Sequence, residues 1–98
     1  MDKLLAKILG LTRANIKVYE YIKTNNISKH PTDILANNLE MHQSTVQRSV
    51  KTLTELGLLK QTQINLQGGG YEYYYKLSPK KERDEIIKQE LDTYNFLN

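Results

Sequence analysis

Apolar positions along the chain change their spacing from segment to segment, and each change marks an element. Leu4, Leu5, Ile8, Leu9 and Leu11 fall at helical spacing, interrupted at Gly10. Thr12 can cap a second segment carrying Ile16, Tyr19 and Ile22, so a bent or broken first helix is expected, ending at Asn25 and Asn26. Pro31 suits the first turn of a short helix running to about Asn38, with Ile34, Leu35 and Leu39 on its inner face. Leu39, Glu40 and Met41 then read as a tight turn. From His42 a longer helix follows, in which Val46, Val50, Leu53 and Leu56 recur at steps of four, three and three and Gly57 closes the end.

Beyond Gly57 the period becomes that of strands. Leu58 to Leu66 and Tyr71 to Leu77 read as extended segments, joined at Gln67 and the three glycines Gly68, Gly69 and Gly70 as a hairpin. Alternation puts Tyr71, Tyr73, Tyr75 and Leu77 on one face and Glu72, Tyr74 and Lys76 on the other. Ser78 and Pro79 carry the signature of a helix start. A last helix over about 79–97 follows, with Ile87, Leu91 and Tyr94 on one stripe and Ile86 and Leu97 beside it. A lone helix of this kind is marginal in water, so its apolar face needs a cover. That cover is either its own domain or a second copy of the chain, and the position after a protruding hairpin favours the second copy, with Leu4, Leu5 and Ile8 of the first helix joining Ile87, Leu91 and Tyr94 in a homodimer contact.

Ninety-eight residues without a repeat, a linker or a long low-complexity tract make one small domain, too short for most enzymes. No apolar run is long enough to span a membrane, and Lys3 and Lys7 interrupt the apolar N-terminal stretch, so neither a span nor a secretory signal fits and a cytoplasmic location is expected. There is no Cys, which removes disulfides and thiolate metal ligands. His30 and His42, with Asp33 and Glu40 near them, are poor provision for a transition metal, and no metal or other cofactor is expected. Gly68–Gly70 lacks the Lys-Ser/Thr of a phosphate loop, and neither a nucleophile elbow nor a paired-carboxylate motif is present. No catalysis is expected.

Net charge is +3, too mild to identify a partner by itself, so its distribution matters more. Residues 1–40 carry six basic and four acidic side chains, residues 41–77 four and two, and residues 78–98 four and five. A polyanion would meet the first two segments and leave the last for protein contacts. On the helix after Met41, Ser44, Gln47, Arg48 and Lys51 follow i, i+3, i+4, i+7 spacing opposite the apolar stripe. Most helices carry a solvated polar face, so this pattern alone does not make a reading surface.

Ala36, Leu39, Met41, Ser44, Thr45, Val46, Arg48, Val50, Leu53 and the run Leu56-Gly57-Leu58-Leu59 resemble a winged helix-turn-helix. The opening LGLTRANIKVYEYI and the tail GGGYEYYYKLSP are similar to MarR-like and TrmB-like prokaryotic regulators, many of them archaeal, and the resemblance covers nearly the whole chain. It implies a mainly α fold with a small β-hairpin wing (α+β), a DNA-binding core over 1–77 with the wing at 58–77, and a dimerisation helix over 79–97. It further implies a homodimer on double-stranded DNA, with a recognition helix at about 43–56 in the major groove.

Carried onto this sequence, the resemblance puts His42, Gln43, Ser44 and Thr45 at the helix start nearest phosphates, where free N–H groups and the helix dipole favour an anion. Gln47 and Arg48 would reach base edges, as Gln pairs bidentately with adenine and Arg with guanine, each pair giving about 1–3 kcal/mol of discrimination. Lys51 would meet a phosphate, and Glu55 would lie beyond the groove. The departure is in the wing: Gln61 to Tyr75 contains no basic residue and one acid, Glu72. Asn65 and Gln67 remain for polar contacts at the tip, with Lys60 and Lys76 at the hairpin base for backbone phosphate. Two subunits with reading helices about 34 Å apart predict an inverted-repeat site. The alternatives are a protein-interaction winged helix and, through the tyrosine strand, a single-stranded nucleic-acid binder. A small-molecule effector is not legible.

Overall fold

The computed structural model describes residues 1–25 and 30–97, His30 by its backbone alone. Helix α1 (Lys3–Leu9) is separated from α2 (Arg13–Asn25) by Gly10, whose φ of 71° ends the first helix in the left-handed region. The first helix is therefore broken rather than bent. Thr12 and Asn15 then exchange two hydrogen bonds, Thr12 N–H to Asn15 Oδ1 and Asn15 N–H to Thr12 Oγ1, each 3.1 Å. This reciprocal cap fixes where α2 begins. Its end at Asn25 agrees with the expected stop, while Asn26 lies outside the described residues.

A strand of two residues, β1 (His30–Pro31), leads into α3 (Thr32–Leu39). Pro31 thus precedes the helix, as its cap with φ −65° and ψ 150°, instead of occupying the first turn. Leu35 and Ala36 are the buried residues of α3 and Leu39 packs against the core, whereas Ile34 is 48% exposed. The inner face is rotated from the expected one: Leu35, Ala36 and Leu39 turn toward the core, and Ile34, about 100° from Leu35 and about 160° from Ala36 around the helix, turns to solvent. Glu40, at φ 54°, and Met41 close the helix through bonds to Asn37 and Ala36.

Helix α4 (Gln43–Glu55) buries Val46, Ser49, Val50 and Leu53. It stops at Gly57, φ 86°, where Leu58 N–H reaches back to the Leu53 carbonyl. Strands β2 (Leu59–Asn65) and β3 (Tyr71–Leu77) form the hairpin in antiparallel register from Leu59 opposite Leu77 to Asn65 opposite Tyr71. β1 adds to the free side of β3, His30 opposite Tyr75, so the sheet order is β1-β3-β2. This third strand was not anticipated, since two residues carry no readable period. The core joins Leu9, Val18, Tyr19, Ile22, Leu35, Val46, Val50, Leu53, Leu58, Leu59 and Tyr75, so the helices and the base of the hairpin share one apolar centre. The result is the expected α+β winged helix.

Helix α5 (Lys80–Leu97) has no buried residue. Its 18 residues run about 27 Å, which accounts for the elongation of the molecule to 53 × 25 × 20 Å.

Candidate nucleic-acid interface

The roll of α4 about its own axis decides which side chains reach solvent, and two devices set it. Val46, Val50 and Leu53 are at most 1% exposed and face the core. Between them Ser49, also 1% exposed, accepts a 2.9 Å bond from Nδ2 of Asn15 on α2. A buried polar pair has one satisfied geometry, so α4 cannot rotate without orphaning the Asn15 amide. Gln43, Ser44, Gln47, Arg48 and Lys51 are consequently all exposed. Thr45 is half-buried at the first turn, and His42 precedes the helix without a side-chain bond to its N–H groups.

The exposed side chains divide between two directions. Gln43, Gln47, Lys51 and Glu55, four residues apart, line one wall of a groove of about 700 Å³ between α4 and the wing. Tyr71, Glu72, Tyr73, Tyr75 and Gln61 of the wing line it as well, together with Pro31, Thr32 and Asp33 where β1 meets α3. Ser44 and Arg48 are exposed outside that lining. Glu55 also lines this groove, and with Asp33 and Glu72 it gives the groove three carboxylates against one lysine.

The hairpin presents its faces unequally. Directly opposed pairs share a face, so Gln61 with Tyr75, Gln63 with Tyr73 and Asn65 with Tyr71 lie on one face, of which Gln61, Tyr71, Tyr73 and Tyr75 line the groove. Lys60 opposite Lys76 belongs to the other face. There Lys60 Nζ lies 2.8 Å from Glu82 Oε2 on α5. The two wing lysines are thus not brought together with the α4 residues. Asn65 and Gln67 are exposed at and beside the tip.

Tyrosines of the wing engage one another and their neighbours. Tyr71 and Tyr73 meet edge to face, centroids 5.3 Å apart at 67°, a geometry unlike parallel platforms for successive bases. The Tyr75 hydroxyl accepts from Gln61 Nε2 at 2.9 Å. The Tyr74 hydroxyl donates to Glu72 at 2.8 Å, and that bond first, then burial and the charges of Glu72 and Asp33, raise its pKa.

The expected dimer residues separate into two groups. Leu4 and Ile8 of α1 and Tyr94 of α5 line a second groove with Lys7, Glu90, Thr93 and Leu97. Leu5 instead packs against the core, and Ile87 and Leu91 are half-buried on α5. Leu4, Tyr94, Phe96 and Leu97 are exposed large apolar side chains at this end of the molecule. Among the described residues no group of three His, Cys, Asp or Glu side chains is placed to hold a metal ion, and no helix is long and apolar enough to cross a membrane.

Sequence patterning missed the residues that orient the site. The Thr12-x-x-Asn15 spacing was a readable cap signal, and Ser49 stood out as a polar residue inside the apolar stripe of α4. Their bond across 34 positions had no local signature.

No protein-family model matches the chain. An uncharacterized protein of Methanocaldococcus jannaschii is 37% identical over 93 residues, which cover 95% of this chain and 69% of that protein. Among solved structures, a possible transcriptional regulator from Methanosarcina mazei Go1 superposes with a TM-score of 0.85 at 37% identity, over 92% of this chain and 75% of that one. A protein of the thermoacidophilic archaeon Sulfolobus tokodaii shares the fold with a TM-score of 0.75 at 19% identity, over 94% and 88% of the two chains. Likeness at this identity and coverage, on a wing and a solvent-facing α4 of this geometry, means that the chain belongs to the same winged helix-turn-helix family as the possible transcriptional regulator of Methanosarcina mazei and the Methanocaldococcus jannaschii protein.

Proposed function

We propose that the protein is a homodimeric regulator that binds a specific double-stranded DNA sequence through α4 and has no catalytic activity. The observation that carries this reading is the locked roll of α4, which leaves Gln43, Ser44, Gln47, Arg48 and Lys51 all exposed. In the major groove, Gln47 and Arg48 reach base edges and Lys51 a phosphate. His42, Gln43, Ser44 and Thr45 set the helix start against the backbone, where N–H groups without a side-chain cap favour an anion. Asn65 and Gln67 supply polar contacts from the tip. Lys60, paired with Glu82 on the far sheet face, acts in the fold, and Lys76 opposite it contributes little.

Affinity per subunit is modest in this reading, because the wing tip lacks a base and the groove holds three carboxylates. A dimer compensates by presenting two reading helices roughly one DNA turn apart, about 34 Å, to an inverted repeat. Helix α5 supports that assembly: none of its side chains is fully buried, and Leu4, Tyr94 and Leu97 stay exposed along the apolar groove it shares with α1. Selection of bound duplexes from a randomised library, with solution mass measured at micromolar concentration, tests both parts. Enrichment of an inverted repeat by a dimer is expected. A monomeric mass, or a selected pool without any motif, overturns the reading.

The acid-lined groove favours one competing reading, a winged helix that binds a basic protein surface. Salt separates the two. Duplex binding through several phosphates weakens steeply as salt rises. A protein interface with an apolar centre changes far less.

A further inference from the structure

Helix α2 carries, one turn apart, the residues that tie down two other helices. Asn15 bonds Ser49 of α4, and the Tyr19 hydroxyl, four positions on, accepts a 3.2 Å bond from Nη1 of Arg83 on α5. Arg83 Nε also donates 2.9 Å to the Ser78 carbonyl. Ser78, 1% exposed, in turn donates its hydroxyl to the Gly57 carbonyl at 2.6 Å and its N–H to the Leu58 carbonyl at 3.0 Å. Ile86, one turn beyond Arg83, lies so close to Gly57 that a Cβ there would fall 2.7 Å from Ile86 Cδ1. The first two turns of α5 are therefore fastened to α2, to the end of α4 and, through Lys60 and Glu82, to β2. Beyond them the helix has no buried side chain and follows α1.

We infer that Arg83 is a positioning residue that fixes the angle between the reading helix α4 and the protruding helix α5, and through it the half-site spacing that a dimer accepts. The inference rests on the dimeric DNA-reading function proposed above. Its physical basis is the planar guanidinium, which holds two acceptors, one from α2 and one from the α5 entry, in a fixed fork that a lysine ammonium does not reproduce. An error of a few degrees at the base of an arm about 27 Å long displaces its far end by angstroms, and two arms meet in a dimer. Stiffness at this junction is thus what makes one spacing better than another.

The decisive variants are Arg83→Met, which keeps the aliphatic stem, and Tyr19→Phe, which removes only the hydroxyl acceptor. The first readout needs no DNA. The chain has no Cys, so Ser44→Cys with Asp92→Cys gives two unique sites for spin labels on α4 and α5, and dilution with unlabelled chain isolates the distance within one subunit. A single narrow distribution is expected in the parent, with at least a doubling of its width in both variants and no further broadening when they are combined. The second readout is affinity for the selected inverted repeat with its half-sites moved by about five base pairs, half a helical turn. The parent loses about tenfold or more and the variants less than about threefold, while affinity for a single half-site stays the same in all. Arg83→Lys restores neither readout fully. Unchanged widths in both variants overturn the inference even if DNA binding is established. Broadened distributions with an unaltered spacing preference overturn its link to the operator. Failure of every form to bind any duplex overturns the functional reading while the distance result still stands by itself.

Discussion

Removing the Ser49 hydroxyl tests how α4 is held. Ser49→Ala deletes one oxygen from a site 1% exposed and leaves Asn15 Nδ2, in a side chain of a residue 6% exposed, without the partner it now has at 2.9 Å. A buried donor stripped of its acceptor costs about 1–3 kcal/mol, whereas the lost volume is negligible, so about 2 kcal/mol is expected. For a domain of this length that lowers Tm by roughly 8–16 °C. Asn15→Ala should cost more, because the same side chain also accepts from Thr12 N–H and closes the cap of α2. The two changes should be non-additive, with a coupling of about 1–2 kcal/mol in a double-mutant cycle. Urea unfolding at one fixed protein concentration measures all three forms, since self-association stabilises by mass action. A loss below about 0.5 kcal/mol for Ser49→Ala, or an additive cycle, would show that this bond does not set the roll of α4.

Other consequences are equally open to measurement. Gly57→Ala should destabilise by about 1–3 kcal/mol in the same assay, through the left-handed backbone and the collision with Ile86. Lys51→Ala should weaken binding to every duplex alike and lower the salt slope by about one, while Lys60→Ala, paired with Glu82, should change affinity by less than about twofold. Tyr74 titrates above its usual pKa of 10.0, so its contribution to stability is complete below that value and is lost as pH rises through the raised one. The urea midpoint should fall in that alkaline window for the parent and less for Tyr74→Phe.

Much of the fold was legible because it rests on local periods: the apolar stripe of α4, the alternation of β3 and the caps at Gly10 and Gly57 each state their element within a few residues. Ile34 and Pro31 were misjudged where one residue, a step of about 100° around the helix or one position at its start, separates inside from outside. Strand β1 escaped because it exists only by pairing with β3. The outward set on α4 could be read from spacing, since i, i+3, i+4 positions share a face whatever they do. Glu55 and the tyrosine wall could not, because the groove is created by the hairpin folding back beside α4. Arg83 was equally hidden: on α5 it is one charge among many, and only the tertiary approach of Tyr19 and Ser78 gives it a role.

Base reading by α4 is the central claim, and Arg48 is its sharpest test. Parent and Arg48→Ala proteins should be titrated against the selected duplex and a scrambled duplex of equal length at two salt concentrations. The account predicts tight, salt-sensitive binding that survives scrambled competitor in the parent. In Arg48→Ala the ratio of the two affinities should shrink by about 1–3 kcal/mol at the guanine step. An equal loss on both duplexes would make Arg48 a phosphate contact only, and parental binding no tighter to the selected than to the scrambled duplex would contradict the account outright.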